Sequence, residues 1–460
     1  MKIKINFILI MFLSGFINGQ TTFSKEQVFK DLSHLKKALI EAQFNIYESV
    51  SEDTFEKGYL EIKNKINKDS YSLLEATKVL QQLPVIVNNG HTSIDFPGSE
   101  YMKYASSNDA TIFPIEIAIE NNRALVRKNW SNNKHLKPGD EVLSINNKPI
   151  NSIFKDMYAQ ISGERDMMKN VKIEMYSFPR YYWQLYGQIN HFEVQIKNLA
   201  GNKTYQVAAV KVMDEYEDRR SEVLNSTMNL KFYDDIAYLD PGSFGGDLHK
   251  FKNFIKSSFE KIKIRKSQKL IIDLRNNAGG DNDYSDFMLS FIANTPFTWN
   301  SSFQLRTSKL LKESGKQNKN SNSKYWKSIF SHTDGERFDY DFIKTQPQPK
   351  EKRFTGEVYT LVNRQSHSQA TVTAAQIQDY KLGTIVGEET AEYPSLIASV
   401  FYFKLPNTKI LVQISKGKMI RVNGSTKEEG VIPDIFIKDF LLDEKDEILT
   451  ELLNRLRNQK

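Results

Sequence analysis

Leu361-Val-Asn-Arg-Gln-Ser-His-Ser-Gln-Ala-Thr-Val-Thr-Ala-Ala-Gln-Ile-Gln-Asp-Tyr380 is the stretch from which this chain can be read. It reads as strand, tight loop and helix. Glu357 to Val362 is a short β-favouring run that ends on Asn363. Gln369 to Tyr380 has no Pro or Gly, and Ala370, Ala374, Ala375 and Ile377 give it a small apolar face. A serine, Ser366 or Ser368, therefore sits where a helix begins. Such a serine serves as an N-cap. It can also be a nucleophile at the positive end of a helix dipole, where a developing oxyanion is favoured.

The flanking sequence repeats the same unit. Ile236-Ala-Tyr-Leu239 reads as a strand, and Leu248, Phe251, Ile255, Phe259 and Ile262 mark one face of the next helix. Lys269-Leu-Ile-Ile-Asp-Leu274 is apolar enough to be buried in a sheet. The loop Arg275-Asn-Asn-Ala-Gly-Gly-Asp281 follows, then a helix from Tyr284 to Ala293, and Thr384-Ile-Val-Gly387 is a further strand. Alternating β and α segments predict a largely parallel sheet with right-handed crossovers. Loops at the carboxyl ends of such strands are where ligands bind. Thr307 to Lys324, rich in Lys, Ser and Asn, reads as part of an exposed flexible insertion near 305–350. Leu441 to Leu456 reads as a final amphipathic surface helix.

Upstream the pattern changes twice. Phe23 to about Val87 has helical spacing, with Val28, Leu32, Leu35, Leu39 and Ile40 at three- and four-residue steps. Asn88-Asn-Gly90 ends it and delivers His91 to a short alternating run through Phe96. From Thr111 to Asn198 the signals are short strands. Leu136-Lys-Pro-Gly-Asp-Glu-Val-Leu-Ser-Ile-Asn-Asn-Lys-Pro-Ile150 resembles the later half of a PDZ domain, a module that binds extended peptides by adding them to a sheet edge. The aromatic-rich Glu174 to Tyr186 is either groove or core.

The 460 residues exceed one core, and 40% hydrophobic with 12% aromatic content supports folded domains. Residues 1–19 carry Lys2 and Lys4, an apolar run from Ile5 to Ile17 and a small residue, the pattern of a cleaved signal peptide. That run is too short to span a membrane comfortably. The product is expected to be exported, periplasmic or extracellular, with no membrane span after cleavage. Losing the two lysines lowers the formal charge from +7 to +5, too mild and dispersed to suggest nucleic acid. With no cysteine there is no disulfide, thiol nucleophile or cysteine metal site.

Several strings together carry a family resemblance. They are "NNGHT" at Asn88–Thr92, "DLRNNAGG" at Asp273–Gly280, "NRQSHSQATVTAAQIQDY" at Asn363–Tyr380, "IVGEET" at Ile385–Thr390 and "EGVIPDI" at Glu429–Ile435. Their content and order resemble the tail-specific, or C-terminal processing, serine peptidases. The resemblance implies a multidomain α+β protein. A helical domain (20–105) and a PDZ-like β domain (106–205) would precede an α/β core of the ClpP/crotonase type (206–460). It implies Ser368 rather than Ser366 as nucleophile. The oxyanion donors would be the amide of Gly279 or Gly280 and that of Gln369. The substrate would be a protein or peptide, held by its C-terminal tail, and no metal or cofactor is implied.

One departure matters. Many relatives place a lysine base in a "GE-x-T-(F/Y)-GKG" string, where this chain has Tyr393. A tricorn-like branch uses histidine with a supporting carboxylate, and His91 matches that branch. Glu428, Glu429 and Glu389 are the candidate carboxylates, and Lys416 and Lys418 remain as alternative bases. His367 is expected to have a local role, since adjacent side chains rarely face the same way. Asp273 is expected to brace the Gly-Gly loop. A non-catalytic binding scaffold on the same fold is the alternative reading of the whole chain.

Overall fold

The strand Lys269–Asp273 lies inside a six-stranded sheet of a computed structural model that describes residues 22–220, 223–224, 227–442 and 445–458. The strand order is Asn229–Tyr233, Ile236–Asp240, Lys269–Asp273, Glu357–Val362, Thr384–Gly387, Ile435–Phe436. The first pair is antiparallel and every later pair is parallel. Helices cover both faces, which is why the central strand is apolar throughout. Leu270 and Ile272 face the helices Leu248–Ile264, Asn282–Leu289 and Gln369–Asp379, whereas Ile271 faces Glu447–Asn458. The last of these is the amphipathic surface helix expected from the sequence, with Thr450, Asn454 and Arg455 exposed. It roofs the sheet through buried Ile448 and Leu452.

A second sheet is antiparallel, in the order Arg337–Asp339, Ser302–Arg306, Leu411–Ile420, Leu396–Lys404. The N-terminal helices Lys25–Ala42, Glu52–Lys65 and Leu73–Leu80 share one core with it. Val28, Leu32, Leu35 and Leu39 lie in the same cluster as Leu305, Val412 and Ile414. The helical region is therefore one layer of a body completed by residues some 300 positions downstream. The insertion near 305–350 does not hang free as expected. It forms the helices Lys309–Lys316 and Lys324–Ser331, anchored in that core by fully buried Leu311 and Ile329.

A third sheet has the order Ile115–Glu120, Arg123–Asn129, Glu141–Ile145, His191–Asn198, Gly201–Ala208, with Lys148–Pro149 paired to the third of them. The aromatic stretch folds as the helices Asp166–Tyr176 and Phe178–Tyr186 and places Phe178, Tyr181 and Tyr182 in the core of this unit. The signal-peptide reading of 1–19 lies outside the described residues. Among those described, no helix is long and apolar enough to cross a membrane.

Candidate active site

Ser368 stands at the carboxyl end of Glu357–Val362, on the first residue before the helix Gln369–Asp379. Its hydroxyl caps nothing, and its backbone has φ 52° and ψ −121°. A side-chain-bearing residue there stores about 1–3 kcal/mol of strain, which surrounding contacts must hold. They do so around the loop. Ser366 Oγ donates to the Leu274 carbonyl at 2.8 Å and accepts from the Asn363 amide at 3.1 Å. The His367 amide donates to the Asn277 carbonyl at 3.0 Å, and Asn363 Nδ2 donates to Asn276 Oδ1 at 2.9 Å. Ser366 is thus a buried staple between neighbouring strand ends, and Ser368 is the serine turned outward.

The glycine loop packs directly against this turn. A Cβ on Gly279 would lie 2.6 Å from the Gln369 nitrogen, and one on Gly280, at φ 138°, 1.9 Å from the Phe244 carbonyl. Of the two amides expected as alternative oxyanion donors, Gly279 donates to Asn277 Oδ1 at 2.8 Å. Gly280 bridges Phe244 through its neighbours: Phe244 donates to the Gly279 carbonyl and Asp281 donates to the Phe244 carbonyl. Its own N–H therefore points away from Phe244. Among the described residues, the backbone N–H groups of Gly280 and Gln369 have no hydrogen-bond acceptor, while the Gln369 side chain donates to Ser285 Oγ at 3.0 Å.

His91 reaches the same place from the other sheet. Asn88, at φ 53°, turns the chain. Gln413 Nε2 donates to the His91 carbonyl at 3.0 Å, Ser415 Oγ donates to Asn89 Oδ1 at 2.8 Å, and Thr92 Oγ1 lies 2.7 Å from Ser415 Oγ. The Gly90 amide donates to Glu164 Oε1 at 2.8 Å, and Lys172 Nζ donates to the Gly90 carbonyl at 2.9 Å. So held, His91 Nε2 is 3.2 Å from Ser368 Oγ.

The carboxylate behind His91 is Glu392. Its Oε1 lies 3.2 Å from His91 Nδ1 and its Oε2 lies 3.0 Å from His367 Nδ1, and Oε2 also accepts the Ser368 N–H. The approach of His91 Nδ1 to Oε1 is close but off the hydrogen-bond direction, so both buried atoms lack a hydrogen-bond partner. The two imidazoles lie parallel, 5.6 Å apart and within 6°. Burial pushes the His91 imidazolium down to about 4, only partly opposed by Glu392. Burial also pushes the Glu392 carboxyl up, but His367, His91 and the donated hydrogen bonds outweigh it and hold it at about 2. The site is thus an ionised carboxylate facing a neutral buried imidazole. His91, His367 and Glu392 are also the residues, among those described, whose donor atoms could converge on a metal ion, all within 4.8 Å of one another.

The carboxylates expected from the sequence lie elsewhere. Glu389 Oε1 accepts from Arg165 Nη2 at 2.8 Å and from the Gly430 amide at 2.9 Å. Glu429 lies 3.7 Å from Lys427 Nζ, and Glu428 is exposed. Tyr393, at the relatives' lysine position, stacks under the Arg165 guanidinium, 4.9 Å from its ring centre. Lys416 Nζ donates to the Ser399 carbonyl at 2.7 Å and Lys418 pairs with Glu48, so neither alternative base faces Ser368. Asp273 does brace the loop, accepting from the Arg275 amide at 2.9 Å. His367 was read as local because adjacent side chains diverge. The His367 ring nevertheless reaches Glu392, the same carboxylate that accepts the backbone N–H of Ser368. The signal for Glu392 was a third acid in Gly387-Glu-Glu-Thr-Ala-Glu392.

Residues 235–437 match the family model described as peptidase family S41. Over that segment the α/β core is similar to that family. S41 peptidases are serine hydrolases, and the segment matched contains Ser368, Gly280 and Glu392, whereas His91 lies ahead of it. Likeness of fold runs further than the S41 match. The structure of mature CPAF complexed with lactacystin is 14% identical, with a TM-score of 0.66 over 95% of this chain and 98% of that one. The crystal structure of mature CPAF gives 14%, 0.65, 94% and 96%. The helical layer and the β unit are therefore part of a fold shared with a solved structure, not additions peculiar to this chain.

Proposed function

We propose that this chain is an exported serine endopeptidase of the tail-specific type, with His91 as base and Glu392 as its carboxylate. The observation that carries this is the 3.2 Å approach of His91 Nε2 to Ser368 Oγ with an ionised carboxylate behind the ring. A hydroxyl nucleophile needs a base within hydrogen-bond reach and donors for the oxyanion. Neutral His91, carrying its proton on Nδ1 toward Glu392, offers the Nε2 lone pair to Ser368. Ser368 Oγ adds to the peptide carbonyl as its proton passes to Nε2. The carbonyl oxygen becomes an oxyanion facing the Gly280 and Gln369 amides. Collapse breaks the C–N bond, and the His91 imidazolium gives its proton to the leaving amine. Water, deprotonated by His91, then releases the acyl group and restores Ser368.

The loose Nδ1···Oε1 geometry fits a site that tightens only when substrate fills it. The PDZ-like string at Leu136–Ile150 supports capture of a substrate tail by the middle unit, and the leader pattern of residues 1–19 supports export. The test is a serine-directed fluorophosphonate probe. Wild type is expected to label on Ser368 and Ser368→Ala is expected not to. Absence of label on folded wild type would leave only a binding scaffold.

A further inference from the structure

The carboxylate and two imidazoles at the base of the site have a second chemistry besides proton transfer. Among the described residues, His91 Nδ1 and Glu392 Oε1 are both buried and neither has a hydrogen-bond partner, although they lie 3.2 Å apart. Buried polar atoms are almost always satisfied. His367 Nδ1 faces the other carboxylate oxygen at 3.0 Å. Two imidazole nitrogens and one carboxylate are a donor set suited to zinc, which keeps a fourth position for water. Zinc ligands at 2.0–2.1 Å in a tetrahedron stand about 3.3 Å from one another. The two nitrogen–oxygen separations here, His91 Nδ1 to Oε1 and His367 Nδ1 to Oε2, are close to that edge, one on each carboxylate oxygen. With one carboxylate oxygen as ligand, the three donor atoms lie within 4.8 Å of one another, so closing onto a tetrahedron takes a shift of up to about 1.5 Å by the rings and the carboxylate. A set of outer contacts also exists: the Ser368 amide on Oε2, and the Asn277 carbonyl fixing the backbone of His367.

We propose that His91, His367 and Glu392 form a reversible inhibitory site for a borderline-soft divalent cation of the zinc class, which takes the Nδ1 atom of the base and switches Ser368 off. The logic is one of tautomers. A cation on Nδ1 moves the imidazole proton to Nε2. Nε2–H then donates to Ser368 Oγ and has no lone pair to accept the serine proton. The cation also occupies the carboxylate that would stabilise the imidazolium. A hard cation such as magnesium, which prefers an all-oxygen shell, is not suited to this set. His367 confers the sensitivity: without it, His91 and Glu392 alone offer a weak two-ligand site. The inhibitory role rests on the peptidase reading above, but the binding does not.

The binding test therefore uses Ser368→Ala protein, in which no catalytic step is needed. Zinc is competed against a chromophoric chelator. One equivalent is expected to bind, with no competition from magnesium. His367→Ala in the same background is expected to weaken binding at least ~10-fold, since even outer-shell losses cost about that much. His249→Ala, which removes an exposed histidine, is expected to change nothing. In wild type, zinc is expected to slow fluorophosphonate labelling and a chelator to restore it, while His367→Ala labels at a rate insensitive to zinc. His367→Gln serves if His367→Ala loses its native circular dichroism spectrum. Failure of zinc to bind, or binding unaffected by both His367 variants, overturns the proposal. Unlabelled wild type with intact zinc binding would instead overturn the peptidase reading alone.

Discussion

Glu392→Gln separates the observed carboxylate from those the sequence offered. The substitution keeps the side chain's size and one acceptor for the Ser368 amide but removes the charge. As His91 takes the serine proton, it becomes a cation 3.2 Å from Glu392 Oε1. At an effective dielectric of about 20, a unit pair at that distance is worth roughly 5 kcal/mol, and spreading the charge over the ring brings this to ~4. At 1.36 kcal/mol per decade, that is about 10³ in kcat. A second effect adds to it. The Gln amide N–H₂ donates to Nδ1, which favours the tautomer with its proton on Nε2, and the equivalent change in serine triads costs roughly 10⁴. A loss of about 10³–10⁴ in kcat is expected, with KM nearly unchanged because no substrate contact is removed. The assay is turnover of a peptide-library substrate alongside the second-order rate of fluorophosphonate labelling. Glu428→Gln and Glu429→Gln, remote from His91, should stay near wild type. If Glu392→Gln kept its rate to within about threefold, below ~1 kcal/mol, the carboxylate would not be acting on the base and the assignment would fall.

Ser368→Ala should abolish labelling with an unchanged melting curve. Ser366→Ala should still label but melt earlier, because the Leu274 carbonyl and Asn363 amide lose a buried partner worth about 1–3 kcal/mol. The pH profile of labelling tests the burial of His91. The neutral form is the active one, so the rate is lost as pH falls through its pKa. With that pKa pushed down to about 4, the rate should stay flat through 6.5, the reference value for histidine, and decline only in more acid buffer. A half-maximum at or above 6.5 would contradict it. Lys416→Met should leave turnover intact although burial pushes its ammonium down to about 7, and loss of turnover by a folded variant would restore a serine–lysine mechanism. Ser415→Ala should lower kcat by roughly 10²-fold, since Asn89 and Thr92 lose the anchor that sets the His91 position and small misplacements cost that much. An unchanged kcat there would show that Gln413 suffices.

The parallel sheet was legible because Leu270-Ile-Ile272 can only be buried on both faces, and the Ser368 loop because a β run met a Pro-free helix across two serines. The pairing of His91 with Ser368 spans 277 positions, and nothing local in either segment specifies it. Only the resemblance of several short strings suggested it. Glu392 was hidden by its neighbours, since three acids lie within five residues and their side chains reach three different environments. Glu388 pairs with Lys438 at 2.7 Å, Glu389 with Arg165, and Glu392 with the imidazoles. The second sheet was illegible for the same reason. Its strands are drawn from Ser302–Arg306, Arg337–Asp339 and the hairpin after Ser395, and its partner layer comes from the first 80 residues.

That architecture says why the strained Ser368 backbone persists. Ser368 belongs to the parallel sheet, and His91 is tied to Gln413 and Ser415 of the antiparallel one. Glu392 sits on the link between them, after Thr384–Gly387 and before Leu396–Lys404. Its Oε2 accepts the Ser368 amide, while its Oε1 faces His91. One carboxylate therefore faces His91 and grips the backbone of Ser368, and it can do both only when the two sheets are docked. In either sheet alone, Ser368 would relax toward an ordinary N-cap and His91 would be one more polar turn residue. The proposed reactivity is thus a property of the assembled layers rather than of any one segment of the chain.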